Sequence, residues 1–193
     1  MNSYQDLTRF RELDGPKSAI GWIPINLTQL REINSNDIPV MSDSPLGGDP
    51  AGFGGLLCKN TTPILEYVNG DTDSAFRVKW AASNVDKVAF ATSLPPDIDW
   101  SQGLTIKVWA AMGGATDTPT LTIESFYGKG DTKVSSTSGA ITGTTETVYS
   151  VTVAYASLET NDKKRFASFE ITPGAHGTDT LLIYAICLEY SRV

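Results

Sequence analysis

The chain has 193 residues, 40% of them apolar, and a formal net charge of -7. That is enough apolar side chain for a real core, which excludes a disordered protein. The acidity excludes a general nucleic-acid binder, whose phosphate contacts need a surface rich in lysine and arginine, and no apolar run approaches the ~18 residues of a membrane span.

Residues 1–17 are polar and charged and close on the turn Asp14-Gly15-Pro16. They read as an N-terminal arm docking on another surface or a neighbouring subunit, ahead of one domain over 18–193. No apolar stretch follows the first residues, so no secretory signal is expected. From Ser18 the pattern is extended: Ile23, Ile25 and Leu27 alternate with Pro24, Asn26 and Thr28. Pro24 cannot donate to a sheet ladder, so this strand belongs at an edge or bends there. Residues 41–55 are rich in glycine and proline and form a long surface loop carrying Phe53.

Short strands are expected over 56–59 and 63–68, then a hairpin turn at Asn69-Gly70-Asp71. Over 75–82, Phe76, Val78 and Trp80 share one face while Arg77 and Lys79 share the other. Residues 87–92 return with Val88 and Phe90 inward. The stretch 104–127 reads as two strands of a hairpin. Leu104, Ile106, Val108 and Ala110 face a core, and Thr105, Lys107 and Trp109 face away. Leu121 and Ile123 then alternate with Thr122 and Glu124.

A polar loop with a weak edge strand fills 128–143. Over 147–155, Tyr149, Val151, Val153 and Tyr155 share a face; a strand follows over 166–171. The last strand, 181–190, is apolar on both sides. Plain alternation puts Leu182, Tyr184, Ile186 and Leu188 on one face and Leu181, Ile183, Ala185 and Cys187 on the other. Such a strand is central in its sheet, with something covering each side. Many short strands and no convincing amphipathic helix define an all-β fold, a two-sheet antiparallel sandwich of jelly-roll type.

Candidate chemistry is sparse. The single histidine, His176, excludes a two-histidine zinc motif. With Ser168 or Ser191 it could form a triad only in the formal sense, since no nucleophile elbow is present. Its plain reading is a loop histidine bonded locally. Glu124 and Glu170 would have to line one groove to hydrolyse a glycoside, and both also sit where solvated carboxylates belong. Asp71 with Asp73 and Asp97 with Asp99 have the spacing of calcium loops, yet turn aspartates usually bond their own backbone. No catalytic, cofactor or metal residue is therefore expected, and the chain is not read as an enzyme. Cys58 and Cys187 have apolar, strand-like flanks and read as buried thiols, though pairing stays open. Trp22, Phe53, Trp100, Trp109 and Tyr127 are the candidate partner-contacting residues, as a sugar platform or as an interface with another subunit.

Ala75–Ser83, Leu94–Trp100 (LPPDIDW), Ala110–Thr132 and Ile171–Tyr190 (ITPGAHGTDTLLIYAICLEY) resemble small virion structural proteins of tailed bacteriophages. The resemblance implies a jelly roll without cofactor, located in the virion. It implies a capsid decoration (cement) protein that binds the major capsid protein and itself, as a trimer. The alternative it leaves is a tail-fibre or tail-tip module binding host glycans.

Overall fold

A computed structural model describes residues 20–33, 55–57, 62–69, 74–127, 133–153 and 166–193. The arm, residues 41–54 of the glycine-rich loop with Phe53, and Cys58, Asp71, Asp73 and Tyr155 lie outside the described residues. The described chain is a sandwich of two antiparallel sheets. In chain order the strands are β1 (Ile20–Ile25), β2 (Arg31–Ile33), β3 (Ile64–Asn69), β4 (Ser74–Trp80), β5 (Lys87–Ser93), β6 (Leu104–Met112), β7 (Leu121–Phe126), β8 (Val134–Thr137), β9 (Thr147–Val153), β10 (Phe166–Pro173) and β11 (Leu181–Ser191). The larger sheet runs β3-β4-β11-β6-β9 with β1 also paired to β11, and the smaller runs β2-β5-β10-β7-β8.

The alternation read from the sequence builds the core between them. Val78, Trp80, Ile106 and Val108 from the larger sheet meet Val88, Phe90, Ile123, Phe169 and Ile171 from the smaller, all essentially without solvent contact. Phe90 and Phe169 stand opposite each other in register, with stacked rings 5.1 Å apart; such pairs add about 0.5–1.5 kcal/mol beyond their burial. The indole Nε1 of buried Trp80 donates to Asp86 O at 2.9 Å, so its polar atom is satisfied where the chain leaves β4 for the other sheet.

Three expectations are corrected. First, 104–127 is not a hairpin: β6 and β7 belong to opposite sheets. Their apolar sets are the two facing inner surfaces, and the connection between them climbs from one layer to the other. Second, the first extended segment stops at Ile25. Asn26 accepts the Thr28 N–H with its side chain and starts a short 3-10 turn over Leu27–Gln29, after which β2 joins the smaller sheet. Third, β11 does not alternate plainly. Ile183 pairs with Ala110 and Ala185 with Trp109, so Tyr184 is an extra residue opposite neither. This β-bulge switches parity: Leu181 and Ile183, then Ile186, Leu188 and Tyr190 face the core.

The central place expected for β11 holds, between β6 on one side and β4 and β1 on the other. Pro24 lies in β1, which among the described residues pairs with β11 alone. The expected β3–β4 hairpin is present, with Asn69 opposite Ser74. Near its end Tyr67 and Phe76 have core-side parity yet are 56% and 59% exposed, with ring centroids 4.9 Å apart.

Candidate functional site on the outer face of the larger sheet

Strand parity fixes what the larger sheet turns outward. From β4 come Ala75, Arg77 and Lys79; from β6, Thr105, Lys107 and Trp109. From β11 come Tyr184, Cys187 and Glu189, and from β1, Ile20, Trp22 and Pro24. On this face a cleft of about 470 Å³ is lined by Val68, Ala75, Arg77 and Tyr184, and by Thr144, Thr145 and Glu146 from the loop entering β9. The volume is that of a small-molecule site. Gly143, at φ 77, turns that loop, and its carbonyl accepts the Met112 N–H at the end of β6.

The bulge is what delivers Tyr184 to this cleft. Its hydroxyl lies 3.5 Å from Arg77 Nη1. Arg77 Nε and Nη2 both lie 2.7 Å from Glu66 Oε1, and Lys79 Nζ lies 3.5 Å from Glu66 Oε2. Burial alone would lower the Arg77 pKa; the hydrogen bonds and charge of Glu66 and Tyr184 outweigh it and hold the guanidinium above its ordinary value. Further along the same face, Lys107 Nζ pairs with Glu189 at 2.6 Å and sits 4.7 Å over the Trp22 ring. Trp22 is 49% exposed. The cleft itself can therefore offer donors (Arg77, Tyr184), an acceptor (Glu146), hydroxyls (Thr144, Thr145) and the ring of Tyr184, while Trp22 lies further along the same face.

The sequence candidates separate. Trp22 and Trp109 both lie on this outer face, Trp109 between Ala185 and Val148 in register. Trp100 packs against the core from a 3-10 turn capped by Asp99, whose carboxylate accepts the Ser101 N–H at 3.0 Å. Tyr127, expected at the surface near a strand end, is 1% exposed and meets Trp100 and Phe169 edge-on. That ring is a core element, and burial pushes its phenol up to about 12. Neither Arg77 nor Tyr184 was singled out from sequence, because a bulge and a cross-strand neighbour are needed to put them together.

Elsewhere, Glu124 and Glu170 are brought directly opposite each other on β7 and β10, on the outer face of the smaller sheet. Each carboxylate meets a lysine: Lys133 at 2.7 Å from Glu124 and Lys87 at 3.2 Å from Glu170. Each carboxylate is thus engaged in an ion pair on that face. Asp97 pairs with Arg192 at 3.4 Å. Among the described residues no group of three acidic, histidine or cysteine side chains is placed to hold a metal. Cys187 is a free, buried thiol whose pKa burial raises.

His176 is 1% exposed. Its Nδ1 lies 2.8 Å from Gly174 O, which fixes the ring proton there, and its carbonyl accepts the Ser83 N–H. Beside it the connections 113–120 and 174–180 clasp each other. Asp117 Oδ2 accepts the N–H groups of Thr178 and Asp179 at 2.6 and 2.7 Å, and Asp179 Oδ2 accepts those of Thr116 and Asp117 at 2.6 and 2.9 Å. The N–H groups of Asp179 and Thr178, with a smaller charge contribution from His176, hold Asp117 below the ordinary carboxylate range. Both connections cross between the sheets, so the clasp ties together the two layers at one end of the sandwich.

These observations define a two-sheet β-sandwich with a mixed polar and aromatic cleft on one outer face. No family model and no curated protein matches the sequence. Among solved structures, the fold is similar to a xylan-binding module, with TM-score 0.51 and 14% identity over 90% of this chain and 99% of that one. It is less similar to a family 29 carbohydrate-binding module from Piromyces equi (TM-score 0.43, 10% identity, 90% of this chain and 92% of the other). The enzymatically active domain of bacteriophage CBA120 tailspike protein 4 matches at TM-score 0.37 and 12% identity, over 88% of this chain and 19% of that one. At these identities the likeness is one of fold.

Proposed function

We propose that the chain is a non-catalytic glycan-binding β-sandwich whose ligand lies on the outer face of the larger sheet. The observation that carries this reading is the cleft of about 470 Å³ that joins Tyr184, Arg77, Glu146 and two threonine hydroxyls, on the face that also exposes Trp22. Sugars present hydroxyls that both donate and accept, and apolar C–H faces that stack on rings. The cleft holds partners for each. The similarity in fold to a xylan-binding module supports the same class of ligand. Of the two roles implied by the phage resemblance, the tail-fibre or tail-tip module binding host glycans is the one these residues fit. The capsid-cement role, with its trimer and major capsid protein, rests on the resemblance alone.

The test is affinity electrophoresis and calorimetry of the purified chain against soluble polysaccharides and oligosaccharides, with Trp22→Ala and Tyr184→Ala. A half-exposed indole leaves on the order of 80–100 Å² for a ligand to cover, worth about 2 kcal/mol at ~25 cal/mol/Å². Binding by the native chain with a roughly ten- to thirtyfold loss in Trp22→Ala is expected. No binding across the panel, or binding indifferent to both substitutions, refutes the reading.

A further inference from the structure

The outer face of the larger sheet pairs its charges internally. Its strands carry three cations, and each already has a carboxylate of the same face against it: Arg77 and Lys79 on Glu66, Lys107 on Glu189. Arg77 spends its Nε and Nη2 edge on Glu66, the edge that would otherwise grip a carboxylate or sulfate in a fork. What it turns toward Tyr184 is Nη1 alone. Glu66 is itself mostly covered, with 22% of its side chain exposed, so displacing it would strand a half-buried charge. The cleft's remaining ionic group is Glu146, which is exposed at the rim and makes no ion pair among the described residues.

We infer that the cleft selects neutral sugar chains and rejects acidic ones, those bearing uronate or sulfate groups, because its cations are already engaged and its unpaired charge is negative. This rests on the glycan-binding reading and narrows it to a ligand class. A neutral chain loses nothing to the engaged cations. Its adjacent hydroxyls bridge Glu146 as acceptor to Arg77 Nη1 and the Tyr184 hydroxyl as donors. An acidic chain meets Glu146 and the overall charge of -7 without a free guanidinium to offset them.

The experiment is calorimetry of the full chain with matched pairs of oligosaccharides of equal length and linkage, one neutral and one bearing a uronate, at low and high salt. The expected result is that the neutral member binds at least about tenfold more tightly at low salt, with the gap closing as salt screens Glu146. Glu66→Gln frees Arg77 and Lys79 and is expected to raise the acidic partner to or above the neutral one. Glu146→Lys, on an exposed loop, makes the same change without touching the sheet, so it still reports if Glu66→Gln destabilises the fold. An acidic member that binds the native chain as tightly as its neutral partner overturns the inference and leaves the glycan reading standing. So does a preference that neither variant shifts. Absence of binding by both members of every pair overturns the two together.

Discussion

The clasp between Asp117 and Asp179 offers the most direct check on how this sandwich is held, and Asp179→Ala is the perturbation that isolates half of it. The substitution removes the acceptor for the N–H groups of Thr116 and Asp117. Hydrogen bonds to a charged group contribute about 1.5–3 kcal/mol net. Thr116 is exposed, so water replaces most of what its N–H loses, whereas the Asp117 N–H is half-buried and is left short. The loss should therefore fall near 2–3 kcal/mol instead of twice that. For a domain of this size each kcal/mol lowers Tm by about 2–4 °C, which predicts a drop of roughly 5–10 °C. Reversible thermal and urea unfolding, followed by near-UV circular dichroism, measures it. Asp179→Asn keeps an uncharged acceptor and should lose about half as much. A Tm change within 1–2 °C for Asp179→Ala, on the same scale, would refute the assignment, as would equal losses for the alanine and asparagine variants.

Other expectations follow from burial and charge. Asp117 is held below its ordinary pKa in the folded chain, so its ionisation stabilises the fold above the usual carboxylate range and that stability is lost as pH falls through the depressed value. Asp117→Asn should therefore flatten the acid limb of stability against pH, which urea titrations at stepped pH would show. Tyr127 behaves in the opposite sense. With its phenol at about 12 against an unfolded value near 10, its contribution is complete below pH 10 and is lost as pH rises toward 12. The full difference is about 2–3 kcal/mol; ultraviolet titration should find one tyrosine that does not ionise until the chain opens. Phe169→Ala removes a fully buried ring stacked on Phe90 and should cost about 3–5 kcal/mol by denaturant unfolding.

The sandwich was legible in the sequence because period-two burial is local: Val78 with Trp80, Val88 with Phe90 and Leu121 with Ile123 declare their faces without knowing their neighbours. What was not legible depends on distant chain. Parity says that Glu124 and Glu170 face outward, but only register puts them opposite each other with a lysine on each. The connection from Met112 to Leu121 carries turn residues, Gly113-Gly114 among them, so it reads like a hairpin locally; only the placement of β6 and β7 shows that it changes sheets instead of folding back. Tyr127 looked superficial because a polar stretch follows it, yet core position is set by what lies across the sandwich. Asp117 and Asp179 read locally as ordinary turn aspartates; their reciprocal bonding exists only because the fold brings the two loops side by side. Arg77 announced an outward face, and its partner Tyr184 lay hidden behind a bulge that plain alternation cannot show.

That bulge has a consequence for how the chain can change over time. Without the extra residue, the second half of β11 would present Cys187 and Glu189 to the interior and turn Ile186, Leu188 and Tyr190 out to water. Position 184 can therefore exchange its side chain freely, as in Tyr184→Phe or Tyr184→Ala, and reshape the cleft while the strand keeps its register. It cannot be deleted without inverting the strand. Variation at this site is confined to substitution, so ligand preference can drift at Tyr184 while the backbone that displays it stays the same length.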